Sequence, residues 1–254
     1  MTSSTARARA ALRTAPTGVL VGTPAHGGMV TSDYATALAA TTCELKSRDI
    51  AVSISIWPNT GLLPLARASI VAEFLSWEPG SHLVFVDADT GWMPSDLVQL
   101  VGHGLDMVTG AVPLRTSPLK FNVTPLCDAQ GGFFDRDTRT GCLEVAACGA
   151  AFLAISRVAL LRMVAAYPEL RITDPGAAPA ATLPYLYDLF AHGRDNKGSY
   201  VGEDTAFCRR WTAIGGRIWL DPSIRLRHHG SYAYEGDPMT MFCPAQTHQD
   251  QAPA

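Results

Sequence analysis

Short apolar runs alternate with amphipathic segments along the first half of the chain. Continuous or period-2 apolar runs predict strands, whereas apolar residues spaced by three and four predict helices. The predicted strands are 18–21, 50–56, 83–86 and 105–112, and the predicted helices are about 32–47, 64–76 and a short one from Ser95. This alternation indicates an α/β fold, with a mixed, mainly parallel sheet and helices on both faces.

The second half of the chain is less regular. Its pattern predicts a hairpin, an apolar strand, a helix, a long loop, a second helix and two late strands. Their bounds are 131–135 with 141–147, 148–155, 157–167, 172–183, 205–214, 217–220 and 224–228. The long loop is a candidate lid, because long irregular segments of compact domains often carry function.

Two carboxylates end the most apolar predicted strand. Leu83–Val86 stops on Asp87 and Asp89, and Pro94 lies just beyond them. A buried strand that ends in acids places them at the carboxyl edge of the sheet, where open α/β proteins bind ligands. Two hard oxygen ligands there suit Mg²⁺ or Mn²⁺ bridging to a diphosphate. The alternative is a surface turn, in which Asp is common.

A second acidic pair, Glu203 and Asp204, follows Gly202 at the start of a predicted helix. Capping and the helix macrodipole favour acids at this position, so a plain helix start is one interpretation. In a chain that already has an acidic sheet edge, the pair also suits catalysis. One carboxylate would take a proton from an acceptor hydroxyl while the other holds the sugar or the acceptor.

Adjacent histidines end the last predicted strand. Period-2 alternation over 224–228 puts His228 on the inward face and His229 on the opposite face. An inward imidazole would add one nitrogen to an oxygen-rich metal site, which Mn²⁺ tolerates better than Mg²⁺. The alternative is a hydrogen-bonded core histidine. Either ring reaches the site if the strand bulges, and the spacing to Gly230 favours His228.

Two features bear on nucleotide binding. The glycine-rich turn from Thr23 to Met29 follows the first strand, but it lacks the G-x-G-x-x-G pattern and a Walker lysine, which excludes a dinucleotide or P-loop site. Arg67 lies early in an otherwise apolar helix. It is either a solvated helix residue or, if the helix start points at the crevice, a planar fork for a phosphate or a base edge.

Chain length and net charge limit the classes of protein to which this sequence can belong. The 254 residues are 47% hydrophobic, enough to bury a core in one domain. A formal charge of −3 gives no global basic field to recruit nucleic acid or an anionic membrane. We expect no transmembrane segment and a cytoplasmic protein, because no run of 18 apolar residues and no signal-type segment occurs. A local basic groove would need these arginines to cluster: Arg194, Arg217, Arg225 and Arg227.

The six cysteines contain no C-x-x-C pair. They are Cys43, Cys127, Cys142, Cys148, Cys208 and Cys243. Most lie in apolar or periodic surroundings, so the sequence favours reduced core cysteines over a zinc site or disulfides.

Taken in order along the chain, these features resemble the GT-A glycosyltransferases. The resemblance is strongest to small bacterial and phage-type enzymes akin to family 2 and to a family of mannosyltransferases, and it covers about residues 18–236. The motifs that carry it are Thr23-Pro24, Ala66-Arg67, Asp87-Ala88-Asp89 with Pro94, Pro113-Leu114-Arg115, Gly149, Gly202-Glu203-Asp204, and His228 with Gly230, Tyr234 and Gly236.

The resemblance implies a GT-A (Rossmann-like) fold with a smaller acceptor-side subdomain. We expect a tail at 1–16, one catalytic domain at 17–240, and a tail at 241–254. Within that domain, 17–125 would bind the nucleotide sugar and 126–240 would face the acceptor. The implied activity is metal-dependent transfer of a sugar from a UDP- or GDP-linked donor to an acceptor hydroxyl, with Mn²⁺ or Mg²⁺ as cofactor.

Residue roles carry over from the resemblance position by position. Asp89 and His228 would bind the metal, and Asp87 would contact the metal or the ribose. Asp204 is the first choice for a catalytic base and Glu203 the second. The residues expected near the nucleotide are Thr23, Pro24, His26 and Arg67, and those expected near the diphosphate are Arg115 and Lys120.

Several alternatives stay open at this stage. Asp204 serves as a base if the reaction inverts the anomeric centre, whereas in a retaining reaction the acids stabilise an oxocarbenium-like state. The acceptor is a glycan, a protein, a metabolite or a modified base in phage DNA, and the oligomeric state is undetermined. The rival classes are a nucleotidyltransferase acting on a sugar phosphate and a non-catalytic nucleotide-sugar or glycan-binding protein.

Overall fold

The computed structural model describes residues 16–58, 61–126, 136–173, 180–230 and 233–242. The strands are β1 Gly18–Ala25, β2 Ala51–Pro58, β3 His82–Val86, β4 Thr90–Gly91, β5 Met107–Thr109, β6 Val123–Pro125, β7 Leu143–Cys148, β8 Phe152–Ser156, β9 Gly193–Arg194, β10 Tyr200–Val201, β11 Ile218–Leu220, β12 Arg227–His229 and β13 Ala233–Glu235. The α-helices are α1 Ser32–Ser47, α2 Leu63–Ser76, α3 Pro94–Gly102, α4 Arg157–Ala166 and α5 Glu203–Ala213.

Eight of these strands form one mixed sheet in the order β2-β1-β3-β8-β5-β11-β7-β6. The pairs β1–β2, β1–β3 and β5–β11 are parallel. Strand β8 is antiparallel to β3 and β5, and β7 is antiparallel to β11 and β6. Six strands therefore run one way and two run the other. The predicted fold class, a mixed and mainly parallel α/β sheet, is confirmed.

Helices cover both faces of this sheet. Apolar residues of α2, α4 and α5 pack in one core with Leu83 and Phe85, and those of α1 and α3 pack in a second core with Val84 and Val86. Alternate residues of β3 thus enter opposite cores, and all five of its residues are buried. A strand covered on both faces has no solvent-facing positions, which explains the apolar run Leu83–Val86 that follows His82.

A small three-stranded sheet, β13-β12-β4, lies just beyond β3 along the chain. Its central strand pairs His228 with Thr90 and Arg227 with Gly91. The His229 amide also donates to the Asp89 carbonyl at 2.8 Å. This sheet therefore brings the late histidines beside the acidic turn, although about 140 residues separate them in sequence.

The structure corrects several predicted element bounds. Helix α1 is capped by Thr31, one residue before the predicted start, because the Thr31 hydroxyl accepts from the Tyr34 amide at 3.2 Å. The predicted strand 148–155 is two strands with a turn between them. Gly149 lies in that turn, where a Cβ would come within 2.6 Å of the Asn122 side chain. The expected hairpin arm 131–135 lies outside the described residues. The turn next to it is present, because Arg136 bridges Leu143 in an antiparallel sense and the Asp137 amide donates to the Cys142 carbonyl at 2.9 Å. Strand β7 also pairs with β6 and β11.

The remaining differences are smaller. The late strand begins at Arg227 rather than Ile224, although Ile224 and Leu226 are buried as the alternation predicted. The long loop ends in a short 3-10 helix, Ala180–Tyr185, which packs on α2. Across the described ranges, no helix combines the length and the apolar character needed to cross a bilayer.

Candidate functional site

The acidic turn lies at the carboxyl edge of β3. The Asp87 amide donates to the Ala151 carbonyl at 3.1 Å, and the Thr90 amide donates back to the Asp87 carbonyl at 3.0 Å. These two bonds fix the turn immediately after the buried strand. The turn leaves the side chains of Asp87 and Asp89 half-buried rather than facing open solvent. The sheet edge is therefore lined by carboxylates, as the sequence predicted.

Asp89 and His228 converge across the β4–β12 ladder. The His228 Nε2 atom lies 3.4 Å from Asp89 Oδ1. The other ring nitrogen, Nδ1, is 2.8 Å from the Pro113 carbonyl, which only accepts, so Nδ1 carries the hydrogen. This bond orients the ring and leaves Nε2 facing Asp89. A histidine held through one nitrogen by a backbone carbonyl is the usual arrangement of a metal-ligating imidazole.

Charge around Asp89 is balanced by two cations. Arg115 donates to Asp89 Oδ2, and His228 lies on Oδ1. Burial favours the neutral acid, but the hydrogen bonds and charges of His228 and Arg115 outweigh burial and lower the pKa of Asp89. The hydrogen bond to Asp89 raises the pKa of His228 against the effect of burial. Asp89 is therefore ionised near neutral pH, as a cation ligand must be.

A second carboxylate, Asp33, holds the opposite face of β12. Arg227 donates to Asp33 through Nε at 2.8 Å and Nη2 at 2.9 Å, and His229 Nε2 lies 2.7 Å from Asp33 Oδ2. Gly91 packs so closely that a Cβ would fall 2.0 Å from Asp33 Oδ2. His229 therefore points away from Asp89, and of the two adjacent histidines His228 is the one beside Asp89. We call Asp33, Arg227 and His229 the strand clamp.

Arg67 links the acidic turn to the second acidic pair. Its Nη2 lies 3.4 Å from Asp87 Oδ1, and its Nε lies 3.7 Å from Asp204 Oδ1. The side chain is only 2% exposed, and its guanidinium lies over the rings of Phe85 and Phe190 at 5.3 and 5.7 Å. Arg67 is thus neither a solvated helix residue nor open to a nucleotide base. It is a buried bridge between two carboxylates.

The contacts of Arg67 with Asp87 and Asp204 are long, at 3.4 and 3.7 Å, and some of the polar atoms involved have no hydrogen-bond partner. Arg67 Nε and Nη1 and Asp204 Oδ1 are buried without a hydrogen-bond partner. Buried polar atoms without partners are uncommon and concentrate at functional sites, because each costs free energy that packing alone does not recover. The unsatisfied atoms lie where Arg67 meets Asp204, and this point therefore stands out from the ordinary hydrogen-bonded interior.

Asp204 is a carboxylate with basic character. Burial raises its pKa to about 6, with further increases from the charges of Glu203 and Asp87 and a partly opposing effect of Arg67. Asp87 is shifted in the same direction, because burial outweighs Arg67 and raises its pKa. A carboxylate with a pKa near 6 is ionised at neutral pH and still basic enough to accept a proton in catalysis.

The structure does not draw all three expected metal ligands together. Within the described part of the chain, Asp87, Asp89 and His228 do not form a group whose ligand atoms lie within 4.8 Å of one another. The reason is that Asp87 turns its Oδ1 atom to Arg67. The convergent pair is Asp89 and His228. One carboxylate oxygen and one imidazole nitrogen fit part of the ligand set of Mn²⁺, which accepts both atom types.

The other predicted nucleotide contacts lie on β1, which is the parallel neighbour of β3, and on the segment that carries Arg115. Thr23 is buried, and its hydroxyl bonds to Tyr34 OH, so its side chain faces the core and not the sheet edge. Pro24 is partly buried near the end of β1. His26 is exposed in the short 3-10 turn that follows. Lys120 is exposed, and its carbonyl accepts from the Leu114 amide at 2.7 Å, which places it on the segment that carries Arg115.

Arg217, Arg225 and Arg227 are each paired with an acid. Arg217 pairs with Glu144, Arg225 with Asp237 and Arg227 with Asp33. These ion pairs offset part of the positive charge of each arginine. A basic groove formed by these three residues with Arg194 stays a prediction.

Sequence reasoning missed the strand clamp and the role of the Pro113 carbonyl. Asp33 lies in the first turn of α1, where an acid is ordinary, so its sequence position does not indicate a second role. Its partners, Arg227 and His229, share one face of the late strand, and that shared face is the only signal in the sequence. The contact of the Pro113 carbonyl with His228 involves the backbone, so the residue type at position 113 does not indicate it.

Comparison with known proteins finds similarity in structure but no match to a family model or to a curated protein. Solved structures do resemble this chain, two of them as follows. The crystal structure of A197 from STIV has 20% identity, covers 84% of this chain and 85% of that chain, and has a TM-score of 0.47. The crystal structure of GalNAc-T7 with UDP, GalNAc and Mn²⁺ has 14% identity, covers 84% of this chain and 44% of that chain, and has a TM-score of 0.43.

Proposed function

We propose that this protein is a metal-dependent glycosyltransferase of the GT-A type. It would move a sugar from a UDP- or GDP-linked donor to an acceptor hydroxyl, within one catalytic domain over residues 17–240. The observation that carries the proposal is the convergence of Asp89 and His228 at the carboxyl edge of β3, with Arg67 linking that edge to Asp204. The proposal rests on this chain's own side chains.

Each residue has a defined task in the proposed reaction. Asp89 and His228 would hold Mn²⁺ or Mg²⁺, which acts as a Lewis acid on the leaving diphosphate. Arg115, which contacts Asp89, is a fork-shaped donor suited to phosphate oxygens. Asp204 takes the proton of the acceptor hydroxyl if the anomeric centre is inverted, with Glu203 as the second candidate. In a retaining reaction the same acids stabilise positive charge on the sugar.

Arg67 would act through the carboxylates and not on the nucleotide. Its buried charge lies between Asp87 and Asp204 and opposes the effect of burial on the pKa of each. It therefore keeps both acids available as carboxylates and fixes their separation. Arg67 is in this sense a positioning residue.

Thermal denaturation in the presence of nucleotide sugars tests the proposed activity. We expect one of the UDP-, GDP-, CDP- or dTDP-linked sugars to raise the Tm with Mn²⁺ and to raise it less without the metal, because a ligand that binds only the folded state stabilises it. Asp49→Asn is a matched control, since Asp49 is exposed in a left-handed conformation that asparagine also adopts. No Tm shift with any donor would contradict the proposal.

Product analysis separates the rival classes. A glycosyltransferase releases a nucleoside diphosphate from the donor, whereas a nucleotidyltransferase releases pyrophosphate from a nucleoside triphosphate. A binding protein of the same fold would show the Tm shift and neither product. Slow hydrolysis of the donor to nucleoside diphosphate without an acceptor is the expected result.

The pH dependence of kcat/KM should show an ascending limb near pH 6. A general base works only when deprotonated, and burial raises the pKa of Asp204 to about 6, so kcat/KM should rise as pH increases through that value. A steady-state profile from pH 4.5 to 8 in constant ionic strength would measure it. In Asp204→Asn the limb should disappear, whereas an unchanged limb in that variant would assign the titration to another group.

Removal of the strand clamp should weaken metal binding. In Asp33→Asn both charge-assisted bonds to Arg227 and the contact to His229 are weakened, so β12 no longer fixes His228 against Asp89. Loss of an outer-shell partner typically lowers metal affinity by about 10- to 100-fold. Mn²⁺ titration followed by electron paramagnetic resonance would measure the change. An affinity within twofold of the parent protein would show that the clamp does not position His228.

A further inference from the structure

A second group of metal-type ligands shares no residue with the proposed donor site. His103 follows α3, Cys142 precedes β7 and Asp221 follows β11. Antiparallel pairing of Leu220 with Leu143 sets the ends of β11 and β7 side by side, which brings Asp221 next to Cys142. The ligand atoms of the three residues all lie within 4.8 Å of one another.

The donor atoms in this group are one sulfur, one nitrogen and one oxygen. Zinc binds such mixed sets, with bonds of about 2.3 Å to sulfur, 2.0–2.1 Å to nitrogen and 2.0–2.2 Å to oxygen. At a tetrahedral zinc, bonds of these lengths place their ligand atoms about 3.4–3.6 Å apart. The His103–Asp221 pair, at 2.6 Å, would therefore open slightly, and any pair near the 4.8 Å limit would close, as one ion is bound. Magnesium and manganese prefer oxygen ligands, and a thiolate therefore distinguishes this group from the site at Asp89.

Neighbouring groups hold the three ligands in place. Asp221 Oδ2 accepts from Gln99 Nε2 at 2.7 Å, and its Oδ1 accepts from the Ser223 amide at 2.9 Å and hydroxyl at 2.6 Å. His103 Nε2 lies 2.6 Å from Asp221 Oδ2, and Arg139 donates to the His103 carbonyl at 2.6 Å. Zinc ligands are commonly fixed by such outer contacts, which here come from Gln99, Ser223 and Arg139.

A small ion has a path to this group. His103 is 12% exposed and, with Gln99, lines a groove of about 540 Å³ between α1 and α3. Glu44 and Ser95 lie in the wall of the same groove. Cys142 is fully buried and Asp221 nearly so, and His103 is therefore the member of the group that is open to this groove.

We propose that His103, Cys142 and Asp221 form a structural Zn²⁺ site that ties the end of α3 to the adjacent ends of β7 and β11. The ion would be bound by the Cys142 thiolate, one His103 nitrogen and an Asp221 oxygen, and the thiol and ring protons are released as it binds. The site is independent of the proposed glycosyl transfer, and its test needs no donor or acceptor.

Cobalt substitution tests the site directly. Co²⁺ added to the metal-free, reduced protein should give a thiolate-to-cobalt absorption band that saturates at one ion per chain and disappears when Zn²⁺ is added. The band should be lost in Cys142→Ser and His103→Gln. It should persist in Cys43→Ser, which removes an exposed cysteine, and in Asp89→Asn, which alters the donor site. No band, or a band lost in Cys43→Ser but kept in Cys142→Ser, would overturn the proposal.

A measurement on the unaltered protein covers the case in which Cys142→Ser does not fold. X-ray absorption at the zinc edge of protein loaded with one Zn²⁺ should show one sulfur at about 2.3 Å among nitrogen and oxygen neighbours. Zinc should also raise the Tm of the parent protein, because it binds the assembled site and not the dispersed ligands. A zinc shell containing only oxygen and nitrogen would contradict ligation by Cys142.

Discussion

Asp89→Asn should lower turnover by roughly three orders of magnitude while leaving the fold intact. The metal is expected to supply several kcal/mol of charge stabilisation to the leaving diphosphate, and about 4 kcal/mol corresponds to roughly 10³ in rate. Asparagine keeps the volume of Asp89 but removes the charge that attracts the cation. Initial rates at several Mn²⁺ concentrations would measure the loss, which excess metal should only partly restore.

Stability provides the control for this variant. Asp89 and its partner Arg115 are both more than a third exposed, and exposed ion pairs typically contribute only about 0–1 kcal/mol to folding. The Tm of Asp89→Asn without ligand should therefore stay close to that of the parent protein and of Asp49→Asn. Near-normal turnover in a folded Asp89→Asn protein would remove Asp89 from the reaction.

Asp204→Asn should lower turnover by about 10²- to 10⁴-fold if the reaction inverts the anomeric centre, because that is the usual contribution of a general base. Donor affinity should change little, since Asp204 does not contact the Asp89–His228 pair in this structure. Single-turnover rates with acceptor present and donor affinity from Tm shifts would separate the two effects. Glu203→Gln, a change at the next residue, should have the smaller effect on rate.

The same variant should fold well at neutral pH. The pKa of Asp204 is raised in the folded protein, so the folded state binds its proton more tightly than the unfolded state does. The stabilisation from that proton is present at low pH and is lost as the pH rises through about 6. Neutral asparagine avoids the cost of ionising a buried carboxylate. A rate loss below tenfold in folded Asp204→Asn would contradict a base at this position.

The strands of the sheet were predictable because the burial of each residue follows from the pattern of apolar residues within its own segment. A strand that enters two cores must be apolar throughout, and Leu83–Val86 shows this directly. Period-2 alternation also gave the correct relative orientation of the two histidines, with His228 toward Asp89 and His229 toward Asp33. That inference required only that the strand not bulge, and the β4–β12 ladder keeps it regular.

The side-chain arrangement of the site was less predictable because it depends on long-range packing. Asp87 is one residue from Asp89 in a pattern that suggested two metal ligands, yet it turns to Arg67 from α2. Arg67 itself is buried under Phe190, which comes from a segment more than 100 residues later. The grouping of His103 with Cys142 and Asp221 depends likewise on a strand pairing that no local pattern reports.

Two metal-binding groups with different ligand chemistry would give the protein two separable responses to metals. The oxygen-rich turn with one imidazole suits Mn²⁺ or Mg²⁺ and would act in transfer, whereas the thiolate-containing group suits Zn²⁺ and would act in stability. Chelation followed by readdition of single metals should therefore restore activity with Mn²⁺ and thermal stability with Zn²⁺.

The central claim is that Asp89 and His228 bind one divalent cation that holds a nucleoside diphosphate. Anomalous diffraction at the manganese edge, from crystals grown with Mn²⁺ and the nucleoside diphosphate that raises the Tm most, tests it most directly. We expect one strong peak within about 2.5 Å of a carboxylate oxygen of Asp89 and of His228 Nε2, adjacent to the diphosphate. A bound nucleotide with no manganese at these two residues would contradict it.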